Sequence, residues 1–257
     1  MILLDQALIS MLESWLWPFF RVAGLLMAAP VIGTRSVPVR IRLVIAIAIT
    51  IAIVPVLAMP AYLEPFTAAW WMTSIQQVII GIAMGLCIRT IFVALELAGQ
   101  AIGQLMGLML ASMVDPQNGN QVPVIGQFYL LLATLLFLSV DGHLLMISAL
   151  VNSFQALPVS ANGISREASW EIINWVGSIL ASSVLIALPA MASLLIVNLA
   201  FGVMTRAAPQ LNIFAVGFPI MIILGVFIIM FTLDGFFPHM LGLFEQSFDM
   251  ITLILER

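Results

Sequence analysis

Residues 99–128 read GQAIGQLMGLMLASMVDPQNGNQVPVIGQF, and this stretch decides what kind of molecule the chain makes. It opens with Gly99, Gly103 and Gly107, each four residues from the next. On a helix that spacing aligns a small-residue face along which a second backbone can approach closely. Glycine inside a helix costs roughly 1 kcal/mol relative to alanine, so three on one face need a close contact in return. Gln100 and Gln104 flank the face and offer hydrogen bonds across it. Met106, Met109 and Met113 follow at spacings of three and four, a deformable stripe that suits either a core or a gate. The stripe runs into Asp115, Pro116, Gln117, Asn118, Gly119, Asn120 and Gln121, which are too polar for lipid. Such a segment either emerges into water or lines a cavity inside protein.

Around this block the chain is very apolar. Of 257 residues 63% are hydrophobic and only 8% charged, a composition that excludes an ordinary soluble domain. All eight cations are arginine, against twelve carboxylates, and the net charge of -4 argues against nucleic-acid binding. About 20 apolar residues cross a bilayer core as a helix. Runs of that order fall at 7–32, 43–59, 72–113, 124–151, 177–204 and 212–233, predicting an all-α membrane protein of six or seven candidate crossings, with 72–113 long enough for two shorter helices. Residues 241–256 form a shorter amphipathic tail, with Phe244, Phe248, Ile251 and Leu255 at helical spacing, expected to pack on neighbours. Arg35, Arg40, Arg42 and Arg206 fall in the first and fifth connections, which marks that side as cytoplasmic.

Two charges interrupt the third run. Arg89 and Glu96 are seven residues apart, on one helix face and about 10.5 Å apart along the axis. As buried charges they read as a structural ion pair or snorkelling groups, or as the border of protein or a hydrated path. Catalytic chemistry has little to stand on. Cys87 is a single cysteine, and neither His143 nor His239 has a second ligand at metal-binding spacing. No phosphate loop, nucleophile elbow or zinc-protease motif occurs, so the expectation is a non-enzyme with no cofactor and no metal. Asp141 with His143 reads as a structural contact before a proton relay.

The block at 99–128, the later RAAPQLNIFAVGFPI at 206–220 and the early FRVAGLLMAAPVIGTRSVPVRIRL at 20–43 together resemble the FliR family of flagellar export-gate proteins, whose injectisome relatives are of the SctT type. The resemblance runs the full length. It implies a multi-helix integral membrane export-gate subunit built of long, tilted and broken helical hairpins. Residues 1–176 would be the FliP-like part, 177–240 a FliQ-like hairpin and 241–257 an amphipathic C-terminal helix. The segment from about 107 to 122 would be a plug that closes the pore at rest. Arg206, Pro209, Gln210 and Asn212 would form the cytoplasmic tip of the hairpin. The implied partners are FliP-like and FliQ-like subunits in a ring, an FlhB-like subunit on the cytoplasmic side, exported unfolded proteins, and lipid. The implied place is the flagellar basal body in the bacterial inner membrane. Injectisome use is the alternative within the family. A small-solute secondary transporter would use Arg89, Glu96 and Asp141 as ligands, yet no internal repeat supports it.

Overall fold

A computed structural model describes residues 2–34, 36–57, 63–108, 123–160, 163–207 and 213–256, without the side chains of 2–8, 10 and 213–216. These residues are helical throughout their regular structure: α1 Ile2–Ala28, α2 Val39–Ile53, α3 Ala68–Leu105, α4 Val124–Ser139, α5 Gly142–Ala156, α6 Arg166–Ala207 and α7 Ile213–Glu256. A 3-10 turn, Val54–Val56, continues α2 and places Pro55 where its missing N–H costs nothing. The all-α architecture expected from the apolar runs is therefore observed.

The number of crossings differs from the expectation. Among the described residues four helices are long and apolar enough to cross a membrane, Val39–Val56, Ala68–Leu105, Arg166–Ala207 and Gly217–Glu256, or five if α4 and α5 together count as one bent span. Residues 7–32 are not one of them. They lie largely in α1, where Glu13, Ser14, Pro18 and Arg21 dilute the apolar run. The run at 124–151 is broken, because Asp141 adopts a left-handed conformation, φ 56°, between α4 and α5. Residues 241–256 are not a separate tail either. They continue α7 without interruption, and Leu243, Phe244, Ser247, Ile251, Ile254 and Leu255 form its buried face. With 38, 42 and 44 residues, α3, α6 and α7 extend about 57, 63 and 66 Å, roughly twice a hydrocarbon core of about 30 Å.

The chain forms two compact units. The first comprises Met1–Thr90, Phe137–Gly177 and Phe244–Arg257. In it α1 runs parallel to the first half of α3, and a ladder of polar pairs joins them. Trp70 Nε1 donates to Glu13 Oε1 at 3.0 Å, Trp17 Nε1 donates to Ser74 Oγ at 3.3 Å, and Arg21 donates twice to Gln77 Oε1 at 2.9 and 2.6 Å. One turn further along, Gly81 and Gly85 bring α3 so close to α1 that a Cβ at either would press on the backbone of Arg21 or Leu25. Trp175 of α6 donates its indole N–H to Cys87 O at 3.2 Å.

The second unit comprises Ile91–Leu136 and Ser178–Leu243. Its core includes Leu95, Ile102, Met106, Ala133 and Leu194, all at most 1% exposed, with the Tyr129 and Phe236 rings edge to face at 5.0 Å. Of the four membrane-length helices α3 is the most enclosed, with about two thirds of its apolar stretch buried, against about a fifth for Val39–Val56, α6 and Gly217–Glu256. Those outer helices present rows of Leu, Ile, Val and Phe that water would not tolerate, so lipid or other proteins must cover them.

Candidate functional site

The end of α3 is built as a fixed root. Met106 N–H still bonds Ile102 O at 3.0 Å, but Gly107 turns into the left-handed region, φ 79°, and its N–H bonds Gln104 O at 3.0 Å. This is a helix C-terminus closed by a glycine, the residue that takes this conformation without a Cβ penalty. Three contacts from other helices hold it. Asn198 of α6 donates its side-chain N–H to Leu105 O at 3.1 Å, satisfying a carbonyl that the helix end leaves open. The Phe218 ring of α7 covers Gly107, 3.4 Å from where a Cβ would stand. The Met106 side chain fills a notch in α7 made by Gly225, whose missing Cβ would collide with it.

The glycine face divides into unequal parts. At Gly99 a Cβ would lie 2.7 Å from Ile125 O and 2.8 Å from Gly126 Cα, so the backbones of α3 and α4 touch there. Gly126 reciprocates, its Cβ position lying 3.0 Å from Glu96 O. At Gly103 the nearest atoms are Ile125 side-chain carbons at 3.5 Å, an ordinary contact. Of the three glycines, then, Gly99 makes the close approach, Gly107 ends the helix, and Gly103 is not needed for close packing within the chain. An alanine at Gly107 keeps the helix but strains the left-handed turn, with an expected cost of about 1 kcal/mol. Thermal unfolding of the detergent-solubilised protein checks this, and an unchanged midpoint would contradict it.

Comparison with known proteins now bears on the whole chain. The profile of a family described as bacterial export proteins, family 1, matches residues 12–247. A flagellar biosynthetic protein FliR from Pectobacterium carotovorum is 38% identical over 97% of this chain and 95% of its own length. The FliR protein of Escherichia coli K12 is 37% identical over the same shares, and that of Bacillus subtilis is 27% identical over 95% of each chain. The chain belongs to the FliR family. The blocks at 20–43, 99–128 and 206–220 each run from one helix to the next in this FliR-family chain, from α1 to α2, α3 to α4 and α6 to α7.

Several site expectations change against this geometry. Met106 is 1% exposed and belongs to the packed root, so it is not a pore-facing residue. Met109, Met113, Asp115, Pro116, Gln117, Asn118, Gly119, Asn120 and Gln121 lie outside the described residues, as do Pro209, Gln210 and Asn212. Arg206 is exposed in the last turn of α6, where its charge suits the negative end of the helix. Arg89 is exposed and Glu96 only half-buried, with Gln100 Nε2 donating to Glu96 Oε1 at 3.4 Å; neither is a buried charge of this chain. No hydrogen bond or ion pair joins Asp141 and His143, and His143 Nδ1 is buried with no partner among the described residues.

Among the described residues the buried charges are Glu13 and Arg21, and Arg21, fully enclosed, was missed as a site by sequence reasoning. Besides Gln77 it donates to Ser153 O at 2.8 Å, Ser153 Oγ at 3.0 Å and Leu157 O at 2.8 Å, and its guanidinium carbon lies 4.1 Å from the Phe154 ring centroid. Thus it ties α1 and α3 to the C-terminal end of α5, where carbonyls and the helix dipole welcome a cation. A usable signal existed in the sequence: Glu13, Trp17 and Arg21 recur every four residues in an apolar run, as polar residues facing a helix partner do.

Proposed function

We propose that this chain borders the conduit of a flagellar type III export gate and that the segment 109–122 closes it at rest. The chain is a flagellar export-gate subunit by family, with several helices apolar and long enough for a membrane. The observation that carries the finer reading is the root at Met106 and Gly107. Contacts from α6 and α7 fix that point, and the polar sequence DPQNGNQ at 115–121 follows within a few residues. A closing segment needs a rigid origin on the gate wall and a polar tip that does not bury itself in lipid; this chain supplies both. Its energy source and its ring would come from other components. FliP-like and FliQ-like subunits would complete the wall, an FlhB-like subunit would dock at the cytoplasmic side, and unfolded flagellar proteins would pass through. Residues 177–240 would act as the FliQ-like hairpin and the site would be the inner membrane.

Deleting residues 115–121 tests the closing role. The expected outcome is a complex that assembles at normal yield and conducts ions at rest, read as small-ion leakage from cells or from vesicles holding the purified gate. An assembled complex as tight to ions as the unmodified one would contradict it.

A further inference from the structure

Between Thr73 and Thr90 on α3, the only exposed residues are Ile75, Ile79, Ile82, Leu86 and Arg89. Every other position in that stretch is buried or half-buried. The spacings are four, three, four and three, a strict 3.5-residue period, and the stripe is one residue wide over about 21 Å. A seam of this period and width is the surface that a single second helix covers, its side chains entering between these residues. Four of the five residues are aliphatic and the fifth is a cation. Among the described residues no hydrogen bond or ion pair reaches the Arg89 guanidinium.

Arg89 stands 21 residues from Ala68 and 16 from Leu105, about 31 and 24 Å from the two helix ends. It lies deep in a membrane-length apolar helix, where an unpaired arginine is costly. We infer that this seam takes one helix of another gate subunit, and that this helix places an Asp or Glu opposite Arg89. Apolar side chains at the same period would fill the seam, and the carboxylate would set register and partner, as a lone polar group in a helix seam does. The inference rests on the export-gate reading and goes beyond it by naming the surface and the chemistry of its occupant.

The test uses the complex purified in mild detergent from cells producing the full chain. A photo-crosslinking amino acid at Ile82, with Arg89 intact, is expected to join a helix of a different subunit bearing an acidic residue within about two turns of the crosslink. Arg89→Glu should lower recovery of that subunit by tenfold or more, Arg89→Lys should retain most of it, and reversing the mapped carboxylate to Arg should restore the Arg89→Glu complex. The inference is overturned by a crosslink only to lipid or to a second copy of this chain, by a mapped helix with no carboxylate, or by Arg89→Glu assembling as well as the unmodified chain. A chain that purifies alone would overturn the export-gate reading and this inference with it. A silent Ile82 probe within an intact complex would overturn this inference only.

Discussion

Replacing Arg21 with leucine will destabilise the protein by about 4 kcal/mol, the largest single effect on stability expected. The substitution removes a buried donor that satisfies Gln77 Oε1, Ser153 Oγ and the carbonyls of Ser153 and Leu157 at once. Leucine fills much of the volume but donates nothing, so Gln77 Oε1 and Leu157 O lose their donor, while Ser153 O keeps the Leu157 N–H at 2.9 Å and Ser153 Oγ its bond to Leu150 O at 2.6 Å. Each orphaned acceptor costs about 1–3 kcal/mol, with part recovered by relaxation and by water entering. The contact with the Phe154 ring adds to the loss. Lysine restores the charge but not the planar fork that reaches α3 and α5 together, and should recover less than half of the stability. Thermal unfolding in detergent, with the yield of monodisperse protein, is the measurement; an Arg21→Leu midpoint within a degree or two of the unmodified protein would show that the ladder is not what holds α1, α3 and α5.

Gly99→Val will separate α3 from α4 at a cost of about 3 kcal/mol, while Gly103→Ala will be neutral or stabilising by up to about 1 kcal/mol. The contrast follows from what stands opposite each glycine. A side chain at 99 meets main-chain atoms, Ile125 O and Gly126 Cα at 2.7 and 2.8 Å, which cannot rotate away. A methyl group at 103 meets two Ile125 side-chain carbons at ordinary distance and gains helix propensity. Gly99→Val should also reduce recovery of assembled complex, since it shifts the start of α4 against the end of α3. Equal effects at the two positions, measured as unfolding midpoints and complex yield, would contradict the assignment of close packing to Gly99.

The two glycines also show what could be read from the sequence and what could not. Their spacing announces a small-residue face on a helix, and that face exists; which glycine a neighbour touches depends on the angle and height at which α4 crosses, which spacing does not contain. The same limit applies to Met106. Its place in the stripe is equally compatible with core and gate, and the notch at Gly225, more than a hundred residues away, decides for the core. Hydropathy identified the apolar runs well because composition alone produces them. It erred at α1, where the polar residues that pair with α3 leave 7–32 too dilute to cross, and at α7, where the uncharged run stops before Asp234 but the helix continues to Glu256. Arg89 and Arg21 show a related limit: both are charges in apolar runs, and only the packing shows that Arg21 is the one enclosed by its own chain.

In the function proposed above, other proteins cover the exposed apolar faces of this chain, the α3 seam among them. Mass measurement of the intact particle purified in mild detergent tests it most directly. The expected result is a heteromeric particle in which this chain accompanies several copies of other membrane subunits. A stable particle consisting of this chain alone would contradict it.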